Sequence, residues 1–377
     1  EPLFNRSLGE TAEIVQKQMF LIKREHDVFA LRPEGTASIV RAYIENNIDK
    51  LKGFVKYYYI GPMFRAERPQ KGRLRQFHHI GCEAIGSYGP SIDAEVIALA
   101  DTLLKAFGIS GYRIVLNSLG CADDKQAFTV SLKEKLSTRI DKLCDDCKDR
   151  YNRNILRVLD CKNEACQDII RELHIAGSSR CPDCDAHFTS VRKSLDALKI
   201  AYEIAPNLVR GLDYYNRTVF EFKHSGLGPQ QDALGAGGRY DSLVSQLGGP
   251  DTGAIGFAFG FERLLLAAQQ QTVANANANS NDLVYLITLG DSAKDAGVML
   301  LSDIRKAGIT ADTDYEGKSL KAAMRKANDL QARFVAILGD DELKDKVIAL
   351  KDMSNGAQEK VSIAGVAGRI KELINKK

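Results

Sequence analysis

Residues 267–281, AAQQQTVANANANSN, carry no charge and almost no bulky apolar side chain. No hydrophobic core can run through such a stretch, so the chain must fold as separate bodies on either side of it. The linker proper is placed at residues 269–281. Domains of ~100–200 residues are usual, and a chain of 377 residues has room for two or three. Beyond the linker, apolar runs at Leu283–Leu289, Phe334–Leu338 and Val347–Leu350 alternate with helical segments at Ser292–Lys306 and Lys318–Leu330. That alternation predicts a small α/β domain with a mixed sheet over residues 282–377.

Upstream of the linker, the spacing of Ile14, Val15 and Met19 predicts a helix over residues 7–20. Residues 54–66, rich in Tyr and Val, and residues 75–86 flank a Pro/Gly/Lys/Arg turn and read as a long β-hairpin. Ser91 is placed to cap a helix with Val96, Ala100, Leu103 and Phe107 on one face, stopped by Gly108; a strand at Tyr112–Leu116 follows. From 122 to 198 the pattern turns polar and helical, without a strand signal, as expected of a helical insertion. Strand-like, Gly-rich sequence resumes at 201 and runs to about 260. Segments 1–121 and 199–268 are therefore two parts of one domain.

A content of 44% hydrophobic and 27% charged residues excludes a disordered chain or a fibrous repeat. No run reaches the ~20 apolar residues that a membrane-spanning helix needs. The net charge of +3 means that any nucleic-acid contact comes from local basic patches. The chain opens on Glu1 without a leader, so a missing amino terminus and a cytoplasmic protein with reduced thiols are expected. Six of the eight cysteines cluster: Cys144/Cys147, Cys161/Cys166 and Cys181/Cys184. The two CxxC pairs, Cys144/Cys147 and Cys181/Cys184, suit a tetrahedral structural Zn²⁺, with Cys161 and Cys166 as alternative ligands or the whole set as free thiols.

Four segments carry candidate chemistry. Between Lys56 and Arg75 stand six basic residues and one acid, Glu67. Arg65 ends one hairpin strand, Arg73 lies in the turn, and Phe77 on the return strand offers a face for a base; a solvated basic turn is the plain alternative. GAIGFAFGFERLLL (253–266) reads as a glycine strand approached closely by something flat, running into a helix opened by Glu262 and Arg263. LVRGLDYY (208–215) and GAGGRYD (235–241) place Arg210, Tyr214 and Tyr215 near a Gly-rich turn that could line a polar pocket or serve only as a tight turn. In LRPEGT (31–36), Thr36 can cap a helix, while Glu34 suits an amine or simply the helix dipole.

In this order the four segments resemble a class II aminoacyl-tRNA synthetase. FRAE…RQF looks like motif 2 of that class and GFAFGFER like motif 3. LVRGLDYYNRTVFE (208–221) and GAGGRYD resemble the two signatures of the histidyl-tRNA synthetase family. The resemblance implies an α+β catalytic domain with an antiparallel sheet, a helical insertion and a C-terminal anticodon-binding α/β domain. It also implies ATP with Mg²⁺, L-histidine and tRNA(His) as substrates, and a homodimer. It assigns catalysis to Arg65, Arg210 and Arg263, with Arg210 replacing a Mg²⁺ used elsewhere in the class. ATP would be held by those three with Glu67, Arg73 and Phe77. Histidine would be held by Glu34, Gly35, Thr36, Arg65, His79, Glu83, Arg210, Tyr214 and Tyr215, with Glu83 and Tyr215 reading the imidazole. In two respects the chain departs from the family. His79 stands where glutamine is usual, and the chain begins after the place of motif 1, so a missing amino-terminal segment is expected. Two rival functions share the fold: an inactive regulatory subunit of ATP phosphoribosyltransferase and a tRNA-sensing module. The first lacks an anticodon-binding domain and the Arg210 signature; Arg65, Arg210 and Arg263 argue against the second.

Overall fold

The computed structural model describes residues 1–9, 12–69, 72–173, 180–227, 232–268 and 282–375. The linker at 269–281 lies outside the described residues. Two compact units are present, one of residues 1–191 with 201–273 and the other of residues 192–200 with 274–377.

The first unit opens with α1 (Pro2–Leu8), a π-helical turn (Ile14–Gln18) and an exposed ribbon of β1 (Leu21–Arg24) and β2 (Asp27–Ala30). The helix expected over 7–20 is not continuous, because Gly9 takes φ 86°, outside any helix. There follow α2 (Thr36–Glu45), α3 (Ile48–Leu51), β3 (Val55–Phe64), β4 (Gln76–Ile85), α4 (Pro90–Ala106) and β5 (Tyr112–Ser118). Neither expected cap holds. Pro90 opens α4 with Gly89 as its N-cap, and at α2 the cap is Gly35. The acid beside it supplies what Thr36 does not: Glu34 accepts the backbone N–H of Thr36 (2.6 Å) and of Ala37 (2.9 Å).

The described residues of the insertion hold helices and turns without a strand: α5 (Ala122–Ser137), a 3₁₀ turn (Ile140–Lys142), α6 (Asp145–Arg153), a second 3₁₀ turn (Ile155–Val158), α7 (Glu164–Glu172) and α8 (Pro182–Ala197). The strands then resume as β6 (Glu203–Ile204), β7 (Asn216–His224), β8 (Ala233–Arg239) and β9 (Ala254–Gly260), with α9 (Leu243–Gln246) before β9 and α10 (Phe261–Ala268) after it. One seven-stranded sheet results, in the order β3-β4-β9-β8-β7-β5-β6. Every pairing is antiparallel except β5 with β6. Arg239, fully buried, locks the turn after β8. Its guanidinium donates to Asp93 (2.8 Å) and Asp241 (2.6 Å) and to the carbonyls of Ser87 and Gly89, so a buried charge is paid for by four acceptors.

The second unit holds β10 (Val284–Leu289), α11 (Asp291–Lys306), β11 (Ala311–Thr313), α12 (Leu320–Asp329), β12 (Phe334–Gly339), α13 (Asp340–Lys344), β13 (Val347–Asp352), β14 (Gln358–Ser362) and α14 (Val366–Asn375). Its sheet runs β11-β10-β12-β13-β14 and is mixed, with β10 parallel to both neighbours and the last two pairings antiparallel. Val284, Leu286, Phe334, Ala336, Ile348 and Ile370 build a core of its own.

Candidate active site

Four strands bring the candidate residues together, because every second side chain along a strand faces the same side of the sheet. Arg65 directly follows β3, β4 carries Phe77, His79 and Glu83, β7 carries Glu221, and β9 with α10 supplies Gly256 and Arg263. One pocket is lined by Glu34, Thr36, Arg65, Glu67, Arg73, Phe77, His79, Arg210, Tyr214, Tyr215 and Arg263. Gly35 and Glu83 stand directly behind that lining, Gly35 as the cap of α2 and Glu83 through its bond to Thr36.

Glu83 forms the floor. It is buried, takes a hydrogen bond from Thr36 Oγ1 at 2.7 Å and another from Tyr240 Oη at 2.5 Å, and is pushed up to about pKa 8, chiefly by burial. Gly256 makes the room for it, since a Cβ there would sit 1.7 Å from Glu83 Oε2. Tyr214 and Tyr215 pack with centroids 4.6 Å apart, and Tyr240 meets Tyr214 edge-on at 5.7 Å. Glu34 is also buried, and its carboxyl is raised by burial despite its backbone bonds.

The guanidinium groups surround the rest of the pocket. Arg65 donates to Pro33 O at 2.9 Å and lies over the Phe77 ring, 5.2 Å from its centroid. Arg210 donates to Glu221 Oε1 at 2.8 Å, and this charge, with Lys223, holds Glu221 low against the burial that would raise it. Arg263 donates to the carbonyls of Gly72 (2.9 Å) and Ala233 (2.7 Å). Arg73 pairs with Glu67. Burial first, then the nearby Arg65 and Arg73, lower Arg263. An enclosed set of cations that repel one another is a site for a polyanion.

Among the described residues, His79 Nδ1 and Arg210 Nε are buried without a hydrogen-bond partner. A polar ligand would satisfy both. His79 is held neutral, its pKa lowered to about 3 by burial and then by Arg65 and Arg263, so its imidazole adds no further positive charge.

Tyr240 and Glu221 belong to this site and escaped assignment from the sequence, although both stand inside the two segments singled out there. A hydroxyl's reach to Glu83 from just beyond the end of β8 is a tertiary fact with no local pattern.

A family profile described as "Histidyl-tRNA synthetase" matches residues 3–264. This chain belongs to that family. A second profile, "Anticodon binding domain", matches residues 283–373. Histidine–tRNA ligases from Desulforamulus reducens and Natranaerobius thermophilus are 45% and 44% identical to it, over 96% and 98% of this chain and 86% and 88% of theirs. The crystal structure of apo Staphylococcus aureus histidyl-tRNA synthetase superposes with a TM-score of 0.54 at 34% identity, covering 98% of this chain and 88% of that one. The histidyl-tRNA synthetase fold of class II, a catalytic domain followed by an anticodon-binding domain, is therefore the fold of this chain.

The cysteines group differently from the pairing expected. Cys144 and Cys147 lie with Cys161 and Cys166, whereas Cys181 and Cys184 lie with Cys121 and Asp124. The Cys144/Cys147/Cys181/Cys184 set is thus corrected. Each CxxC opens a different helix, α6 or α8, and each meets the start of another, α7 or α5.

Proposed function

We propose that this chain is a histidine–tRNA ligase whose pocket activates L-histidine with ATP and passes the acyl group to the 3′ end of tRNA(His). The observation that carries the site reading is the meeting of Arg65, Arg210 and Arg263, from distant parts of the chain, around one pocket floored by a buried acid.

In the reaction, a carboxylate oxygen of histidine attacks the α-phosphorus of Mg²⁺-bound ATP, the bond to the β-phosphate oxygen breaks, and pyrophosphate leaves. Bringing two anions together is the obstacle, and fixed cations are the remedy. Arg65 is assigned to the α-phosphate and the histidine carboxylate, Arg263 and Arg73 to the outer phosphates, and Arg210 to the charge that develops in the transition state. Phe77 stacks on adenine, with Glu67 at its amino edge. Glu34 and Thr36 take the α-amino group, beside the cap at Gly35. Glu83, Tyr214 and Tyr215 pair the two imidazole nitrogens, and His79 offers a neutral donor and acceptor toward the bound amino acid. Pairing both ring nitrogens in a buried site rejects apolar look-alikes by ~10⁴-fold or more.

The second unit is read as the part that binds the anticodon. A homodimer is supported by exposed apolar side chains on the edge strand β3, Tyr58 and Ile60, and on the ribbon, Ile22 and Phe29. The site of action is read as the cytoplasm; among the described residues no helix is long and apolar enough to cross a membrane. A structural Zn²⁺ is assigned to the insertion. Neither rival function is favoured, because the chain keeps both Arg210 and the second unit.

Histidine-dependent ATP–pyrophosphate exchange tests the reading. Arg210→Ala should lower kcat by on the order of 10²–10³-fold with the fold intact. Undiminished exchange in that variant would remove Arg210 from the chemistry.

A further inference from the structure

We infer that Cys144, Cys147, Cys161 and Cys166 form a four-thiolate site for one zinc ion within the insertion. Their four sulfurs lie within 4.8 Å of one another, and Cys144 Sγ and Cys161 Sγ are 3.8 Å apart. Zinc bonds thiolate at ~2.3 Å, which sets the edge of a ZnS₄ tetrahedron at ~3.8 Å. A disulfide would need ~2.05 Å, and all four are free thiols. The spacing is also too tight to admit the bridging sulfides of an iron–sulfur cluster.

Backbone donors already face two of the four sulfurs. The backbone N–H of Cys144 donates to Cys166 Sγ at 3.3 Å, and that of Asn163 donates to Cys161 Sγ at 3.4 Å. Such bonds orient and stabilise metal-bound thiolates. Cys144 caps α6 and Cys166 sits in the first turn of α7, so two positive helix ends face the cluster. Leu143, Ile155, Val158 and Ile169 are buried in the same apolar cluster as Cys147, Cys161 and Cys166. On binding, each thiol releases its proton to solvent.

The second group has a different use for its acid. Asp124 accepts the backbone N–H groups of Cys181 (2.9 Å) and Cys121 (3.2 Å), joining two helix starts without an ion. The inference is confined to the four-cysteine group.

Zinc there would brace the histidine loop. α6 and the second 3₁₀ turn carry Asn154, which donates to Asp213 Oδ1 at 2.7 Å, and Arg157, which fills the space over Gly211. Arg210, Tyr214 and Tyr215 are borne on this same loop. The effect on histidine binding rests on the function proposed above; the metal itself does not.

The test measures zinc in the purified full chain by mass spectrometry of the element. Cys161→Ser should lower bound zinc by one equivalent per chain, equally in the wild type and in a Cys181→Ser background. No loss, or a loss that disappears in that background, overturns the assignment. A second measurement needs no substitution. In the native protein these four thiols should resist maleimide until pyridylazoresorcinol extracts the zinc, and histidine KM should then rise. Alkylation of all four before extraction, or their recovery as disulfides without zinc, is incompatible with the site. If zinc leaves as expected while histidine KM stays constant, the site stands and only the bracing of the loop is lost.

Discussion

Unfolded, the Glu83 side chain would ionise at an ordinary carboxyl pKa of 4.5; in the folded chain burial moves it to about 8. Between those values the folded state keeps a proton that the unfolded chain has released, so stability falls as pH rises through this window. Glu83→Gln keeps the shape and cannot ionise, and the Thr36 and Tyr240 hydroxyls can accept as well as donate. Thermal unfolding should therefore show the variant gaining on the wild type at about pH 8 and not at about pH 5, while histidine-dependent exchange collapses. A variant that tracks the wild type at both pH values would mean that Glu83 is not the proton holder. The sequence pointed to Glu83 only through a family likeness, since nothing in QFHHIGCE distinguishes a buried acid from a surface one. Tyr240 could not be assigned at all, for its partner stands far away in the chain.

At the scale of elements, the hairpin β3–β4 and the strand β9 were legible because a period of two and bounding glycines survive in the sequence. β10, β12 and β13 were legible as short continuous apolar runs, as befits strands buried on both faces. The short edge strands β11 and β14 were not, since a few half-buried residues carry too little pattern. The cap of α2 was misread for a physical reason: an acid two residues ahead of Thr36 reaches the same free N–H groups. The paired cysteines misled because spacing along a chain says nothing about which helix starts meet. On β9, Gly256 is the position where a strand needs no side chain at all. Gly256→Ala would drive a methyl group into Glu83 and should reduce kcat/KM for histidine by about 100-fold, at a stability cost of roughly 1–3 kcal/mol. Steady-state exchange at varied histidine separates the two effects. Unchanged histidine kinetics would show that Glu83 can move aside.

For the molecule as a whole, two cores imply two unfolding events. The first unit buries Val40, Ile85, Tyr240 and Val244 in one cluster, and the second builds its own around β10 and β12. Calorimetry is expected to resolve two transitions where a single cooperative one would contradict independent cores. Histidine with a non-hydrolysable ATP analogue should raise the catalytic transition alone, by mass action on the state that binds.

The pairing of β4 with β9, which sets His79 opposite Gly260, has a bearing on how the chain is made. Arg65, His79 and Glu83 leave the ribosome early, yet their neighbouring strand emerges only after the whole cysteine-rich insertion. Until then β4 has an unprotected edge and an ionisable acid with no cover, a condition that invites chaperones. An insertion able to fold at once on local contacts shortens that exposure by drawing the two distant strands toward each other.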